Sequence, residues 1–426
     1  MIQRRRFSTN KLFLPISRRG YTHDLSVPLA ASGERHRPKP WLCAFTDHDP
    51  ATVHRRFPAI IRAFVFAMAM GLAAPALWGE TVPEEHANIR PETHGTDYMV
   101  FPHAYYKPET RLAGGFVLLT LFRSEEFPEQ IRPSTIATTF TYTQNEQFIW
   151  EFFPDFYLAK EKFHLLGGIE YKRRPNKFYG IGNDTPKELE EDYSTDIVRI
   201  RAELQREVAR RLYLGLAYHY EWTHVTEVEE GGLLDDGNIT GNRRGAASGA
   251  GLTLNYDTRN SALSASRGYF LQLSAISFND AFGSNYIFTR YILNLRAFVP
   301  LFNKSVLAFQ SYTSLIEGDP PFEMLSLLGG KNLLRGVFEG RFRDRAMQVL
   351  QGEYRSPFIW RFRFVGFAGI GQVARRVDGF AADNYKFAWG GGVRYGVRMK
   401  ENVFVRVDVA RGEELTALYI TVGEAF

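Results

Sequence analysis

Few stretches of this 426-residue chain gather side chains that could do chemistry. His219 and His224, in HYEWTH, are of a type that binds zinc. They stand five apart in a segment that alternates apolar and polar residues, so they project to opposite sides, and no further ligands accompany them. No metal and no cofactor is expected. No Gly-x-Ser-x-Gly stretch marks a nucleophile, although a Ser/His or Asp/His site assembled from distant segments stays open. The chain is read as no enzyme, with a barrel hydrolase as a distant alternative. A charged run, GGKNLLRGVFEGRFRDR at 329–345, sets two glycines and Leu334-Arg335-Gly336 ahead of five more charges, between the alternating stretches 304–315 and 345–355. In YDTRNSALSASRGY, 256–269, Asp257 and Arg259 close one segment and Gly268 opens the next, which a tight polar turn explains.

The elements that must position these residues are extended. In IVRIRAELQREV, 197–208, Val198, Ile200, Ala202 and Leu204 oppose Arg199, Arg201, Glu203, Gln205 and Glu207. Leu214, Leu216, Tyr218 and Trp222 oppose Tyr213, Ala217, His219 and Glu221, and Val405, Val407 and Val409 oppose Phe404, Arg406 and Asp408. A period of two means strand. In a soluble sandwich the charged side meets water; in an outer-membrane barrel the apolar side meets lipid and the charged side a wet lumen. Segment lengths of about ten residues or more suit a tilted membrane crossing, and Tyr, Phe and Trp sit near the segment ends. Closure follows because backbone polar groups in hydrocarbon all need partners.

Sixteen such segments run from 97–107 to 416–426, among them 162–173, 195–208, 210–222 and 247–257. Fourteen is the fallback, because Pro102 removes a ladder donor from the first. The fold expected is therefore all-β, a transmembrane antiparallel β-barrel over 97–426. Short links at 208–210, 299–303 and 398–401 read as periplasmic turns, and long polar ones at 174–194, 223–246, 316–344 and 374–384 as external loops.

The net charge of +5 misleads. Residues 1–79 hold 12 Lys/Arg against 4 Asp/Glu, so the remainder carries +5 − 8 = −3. That excludes the basic patch nucleic acid requires. VHRRFPAIIRAFVFAMAMGLAAPALWGE combines arginines, an apolar run and Ala74-Pro75-Ala76, the layout of a secretory signal peptide. The expectation is a signal peptide at 53–76, preceded by a mis-annotated or non-structural extension, 1–52, and followed by a short periplasmic segment, 77–96. Cys43 is the only cysteine, so no disulfide is expected beyond the cleavage site.

Asp257-x-Arg259 with Gly268 opening the next strand, and Leu334-Arg335-Gly336 three strands later, resembles the barrel of the BamA/TamA-like outer-membrane assembly and bacterial surface-antigen superfamily. FYGIGNDTP (178–186) and YKPETRL (106–112) look like members without large periplasmic regions. The resemblance covers roughly 95–426. It implies that the Arg335 loop folds into the lumen and that Arg335 pairs there with acidic side chains of the wall. Glu353 in LQGEYRSP matches the acidic position. The second acid would fall in FAGIG, where Gly369 stands instead, so either Glu353 acts alone or Asp344 substitutes. Phe426, in register with Leu418, Ile420 and Val422, resembles the terminal aromatic that hands such proteins to the barrel assembly machinery; Glu424 on that side departs from the pattern. The implied function is insertion or translocation of a protein or lipid client at the bacterial outer membrane, through a weak seam between first and last strands. The alternative is a passive channel plugged by its loop. Expected partners are outer-membrane lipid, the assembly machinery and a client, with no nucleic acid.

Overall fold

The computed structural model describes residues 96–107, 111–122, 134–262, 264–399 and 403–426. The expected extension 1–52, the signal peptide 53–76 and the segment 77–96, save its last residue, lie outside the described residues. Alternation becomes strand from the first described residue onward. β1 (Thr96–Lys107), β2 (Arg111–Phe122), β3 (Ser134–Thr143), β4 (Phe148–Leu158), β5 (Phe163–Phe178) and β6 (Glu191–Ala209) open a meander. It continues through β7 (Leu212–Val228), β8 (Arg244–Asp257), β9 (Gly268–Phe278), β10 (Phe288–Pro300) and β11 (Val306–Gly318). Two short strands, β12 (Ser326–Leu328) and β13 (Phe342–Asp344), pair with each other inside the long connection that follows. β14 (Ala346–Arg355), β15 (Phe362–Ala374), β16 (Lys386–Arg398), β17 (Val403–Arg411) and β18 (Thr416–Val422) complete the chain.

All but β12 and β13 form one antiparallel sheet of sixteen strands in chain order. The sheet curls until β1 lies against β18, and among the described residues no hydrogen-bonded ladder joins these two edges. Pro102 sits on that free edge strand, opposite Phe116 of β2. An edge is where a missing backbone donor costs least.

The buried flank of the sheet is the polar one. Gln205, Glu221, Arg355 and Asp408 are buried, while Leu204, Leu214, Leu216, Leu252 and Val409 are exposed. On β15, Arg363, Val365 and Phe367 are buried and Phe362 and Phe364 face out. In water each such outward leucine would forfeit about 25 cal/mol per Å² of apolar area left uncovered. Acyl chains remove that cost, which is why this pattern belongs in a bilayer.

β5, β6 and β7 outrun the expected segments. At about 3.3 Å per residue the nineteen residues of β6 extend roughly 60 Å, about twice what a membrane crossing needs. Their outer parts pair polar residues: Arg173 stands opposite Asp196, Lys177 opposite Asp192 and Ser194 opposite Glu227. Cross-strand charge pairs line one flank of these ladders, while Phe178, Tyr193, Val225 and Val228 of the same stretch join a buried apolar cluster.

The chain's last residues depart from the expectation. β18 stops at Val422, and Gly423, with φ +85°, breaks the alternation. Glu424 consequently turns inward, and Phe426 leaves the lipid-facing register to pack among Ala265, Phe298, Val306 and Ala308.

Candidate functional site

The connection between β11 and β14 is long enough to leave the rim, turn inside the sheet and return. Its path is dictated by residues able to adopt left-handed backbone. Gly329 (φ +107°) and Gly330 (φ +93°) turn the chain, and β13 then pairs back onto β12. Gly336 (φ +102°) faces the hairpin between β17 and β18 so closely that a Cβ would lie 2.8 Å from the Gly412 nitrogen. Its own N–H donates to the Tyr419 hydroxyl at 3.2 Å. Only glycine fits. Leu334 also takes positive φ, +52°, and its buried side chain packs with Leu328, Val337, Phe342 and Val349. Burial of that leucine offsets the backbone strain, which is of order 1 kcal/mol.

This packing delivers Arg335, only 2% exposed, to the inner wall. Its Nη2 donates to Glu353 Oε2 on β14 at 2.7 Å, and its Nη1 to Asp408 Oδ2 on β17 at 2.6 Å. The guanidinium lies over the Phe367 ring of β15, 3.5 Å from the centroid. Arginine suits the position because its rigid fork can serve two carboxylates while its face stacks on an aromatic ring.

Both acids are shared. Glu353 Oε1 accepts from Arg355 Nε at 2.8 Å, and Asp408 Oδ1 accepts from Arg394 Nη1 at 2.5 Å. Arg394 also donates through Nε to Glu424 at 2.6 Å. Arg355 reaches the main-chain oxygens of Ala265 and Phe426 at 3.0 and 3.1 Å, joining the network to the chain's last residues. Arg406 donates to the Thr421 hydroxyl at 2.8 Å and to the Lys331 carbonyl of the loop at 3.2 Å. A buried charge without this degree of pairing would be strongly unfavourable.

The second acid at Arg335 is therefore Asp408. Asp344, the substitute considered from the sequence, instead accepts the backbone N–H of Arg345 at 2.8 Å, and no contact with Arg335 is present among the described residues. Gly369 leaves room for the loop: a Cβ there would lie 3.2 Å from Leu334 Cδ1. A larger side chain would compete with the leucine for that space.

Two further clasps hold the loop elsewhere. Glu323 accepts from the Tyr193 hydroxyl at 2.5 Å and from Arg174 at 3.4 Å. Arg341 grips Glu414 of the β17–β18 hairpin with Nε at 2.7 Å and Nη2 at 3.0 Å, while Nη1 reaches the Thr185 hydroxyl at 2.9 Å. The sequence reading did not find these. Asp408 and Arg394 were at least legible as inward residues of alternating strands; Glu323 and Arg341 sit in irregular chain, where no period applies.

At the opposite end, Asp257 and Arg259 form a bidentate pair, with both N–H···O distances 3.0 Å, and Gly268 has φ +105°. A Cβ on Gly268 would lie 2.7 Å from the Thr258 carbonyl carbon, so the turn requires glycine. His219 Nε2 lies 3.7 Å from Glu221, while His224 packs near Trp222, ring centroids 5.9 Å apart. Among the described residues no group of three His, Cys, Asp or Glu could hold a metal ion.

Known structures share this architecture. BamA from Haemophilus ducreyi, in a crystal structure lacking POTRA domains 1-3, is similar with 14% identity over 78% of this chain and 69% of that one, TM-score 0.51. CdiB from Acinetobacter baumannii is similar at 11% identity over 78% of this chain and 60% of that one, TM-score 0.51. CdiB from Escherichia coli gives 10%, 78%, 62% and 0.51. The chain thus spans about three fifths of the length of the CdiB chains it matches. At such identities the likeness establishes the fold. No curated protein sequence matches the chain. The Omp85 superfamily domain matches residues 132–399, well over half of it, and takes in the Arg335 loop with its Glu353 partner. The chain belongs to the Omp85 superfamily and is an outer-membrane β-barrel of that family.

Proposed function

We propose that this barrel promotes the insertion or translocation of a protein or lipid client at the outer membrane. The observation that carries the reading is the β1–β18 edge, where two strands lie together without a ladder among the described residues. Unpaired strand edges recruit further strands. An incoming client segment gains backbone hydrogen bonds there and gives them up again when it leaves. The family membership and the likeness to BamA and CdiB support the same reading. The loop seated on Glu353 and Asp408 serves in it as the element that sets the lumen's shape beside the seam.

The test is reconstitution. Liposomes carrying the barrel are mixed with an unfolded outer-membrane β-barrel precursor, and its protease-resistant folded form is followed in time. Faster folding than in empty liposomes supports the proposal. A second reading, a channel plugged by the loop, is favoured by the burial of Arg335 within the lumen. Its signature is conductance in planar bilayers that rises in Arg335→Ala, with no acceleration of client folding.

A further inference from the structure

FYGIGNDTP, residues 178–186, begins the connection between β5 and β6 but does not stay above those strands. Gly180 and Gly182, with φ of +86° and +133°, turn it inward from the rim. In the sixteen-strand sheet β5 stands fifth and β15 thirteenth, 13 − 5 = 8 places on, so the two lie on opposite sides of the ring that the curled sheet makes. Asn183 nevertheless joins them. It is 8% exposed; its Oδ1 accepts the Val373 N–H at the end of β15 at 3.1 Å, and its Nδ2 donates to the Asn384 carbonyl, between β15 and β16, at 2.8 Å. The chain from Phe178 to Asn183 therefore crosses the mouth at the long-loop end.

On the way it takes hold of the outer part of the lumen loop. The Gly182 N–H donates to the Arg343 carbonyl at 2.9 Å, and Arg343 Nη2 donates to the Lys177 carbonyl at 3.3 Å. Arg341 donates from Nη1 to the Thr185 hydroxyl and from Nη2 to the Thr185 carbonyl, both at 2.9 Å, and its guanidinium lies 4.6 Å from the centroid of the Tyr179 ring. Tyr179 also meets Phe338 edge to face, with centroids 5.8 Å apart. These contacts are not needed to hold β5 to β6, whose ladder already runs unbroken up to Phe178 opposite Glu191. They involve neither Arg335 nor its acids, Glu353 and Asp408. Polar groups withdrawn from water are costly to leave unpaired, so a crossing fastened to the far wall through a buried side chain has one well-defined shut position.

We propose that residues 178–185 are a strap across the external mouth of the lumen, a second barrier in series with the loop seated through Arg335, and that Asn183 latches it to the far wall. What the strap holds back is the passage of water-borne ions and small solutes. Unlatched, it swings about the two glycines while staying attached to β5 and β6.

The full chain is inserted into planar bilayers, and its potassium chloride conductance is measured for the parent, Arg335→Ala, Asn183→Ala and the double variant. Barriers in series couple, so the double variant is expected to conduct at least about tenfold more than either single one. Asn238→Ala, in an exposed stretch of the β7–β8 connection, is expected to add nothing to Arg335→Ala. Asn183→Asp, which keeps the acceptor for Val373 and loses the donor to Asn384, takes the place of the alanine variant if that one does not fold. A reversible tether separates a latch from a merely weakened fold. Arg335→Ala with Asn183→Cys and Asn384→Cys, in a chain carrying Cys43→Ser, is bridged after folding with a short bis-methanethiosulfonate. Bridging is expected to lower the conductance to that of Arg335→Ala, and reduction to restore it. A double variant that conducts no more than either single one, or a conductance indifferent to bridging and reduction, overturns the proposal.

Discussion

Asp408→Asn removes one charge from the centre of the loop's seat and almost nothing of its shape. In the parent, Asp408 bonds Arg335 through Oδ2 and Arg394 through Oδ1, and both guanidiniums are essentially inaccessible to water. After the change, Glu353 is the one carboxylate left to Arg335, and it already serves Arg355 and Arg394. Breaking a buried pair by removing one partner costs about 3–5 kcal/mol. Asparagine keeps an acceptor oxygen, so the lower figure applies. About 3 kcal/mol at roughly 1.4 kcal/mol per tenfold raises the population of unseated loop by about a hundredfold. The assay is limited trypsin digestion of the folded barrel in detergent. Arg341 and Arg343 are buried while the loop is seated and become cleavable when it leaves, and in the fast-reclosing regime the cleavage rate follows the open population. A solvent-exposed pair supplies the control: Asp378→Asn, facing Arg376, is expected to leave the rate unchanged. A rate in Asp408→Asn within about threefold of the parent, with strand content retained, would refute the view that this carboxylate seats the loop, since that view requires a change near a hundredfold.

Other outcomes follow from the same geometry. Gly336→Ala, which places a Cβ against the β17–β18 hairpin and forces an alanine to φ +102°, is expected to cost more than about 1 kcal/mol and to speed loop cleavage. Gly369→Asp introduces the residue the family resemblance anticipated; because its Cβ would crowd Leu334, it is expected to loosen the loop, seen as faster trypsin cleavage, instead of adding an acceptor. Tyr193→Phe leaves buried Glu323 without its hydroxyl partner and is expected to lower the unfolding midpoint, by an amount equivalent to about 1–3 kcal/mol. Burial pushes the Glu190 carboxyl up, but hydrogen bonds from Lys177 and Tyr179 outweigh this and hold it below the ordinary carboxylate range. That contribution is present above the ordinary glutamate value and is lost as pH falls through the depressed one. The protection factors for amide exchange in the loop 179–190, taken relative to the intrinsic rate at each pH, are therefore expected to fall on acidification in the parent, with a weaker pH response in Glu190→Gln.

Alternation alone was enough to read the meander and its inward polar flank, because a period of two survives wherever one side meets lipid. It did not extend to the outer parts of β5, β6 and β7, where charge pairs such as Arg173 and Asp196 stand on the flank that is apolar elsewhere, and the apolar residues, Phe178 and Tyr193, are the buried ones. It also misplaced Phe426, since one glycine at 423 shifts the phase of everything after it. Glu353 was named only through the family resemblance, whose acidic position it matches in the strand after the loop. Asp408 was visible as an inward acid on an alternating strand, but nothing in one dimension says that β17 curls around to within reach of a loop leaving β11. The clasps through Glu323 and Arg341 are products of loop packing and left no local signature.

The seating of Gly336 carries a mechanical consequence. Its N–H is held by Tyr419 of β18, and Arg406 of β17 holds the Lys331 carbonyl a few residues earlier. The loop thus hangs from β18, one edge of the unladdered border, and from its paired neighbour β17. A force on the loop is therefore passed through these two bonds to the strand at that edge and to the strand beside it.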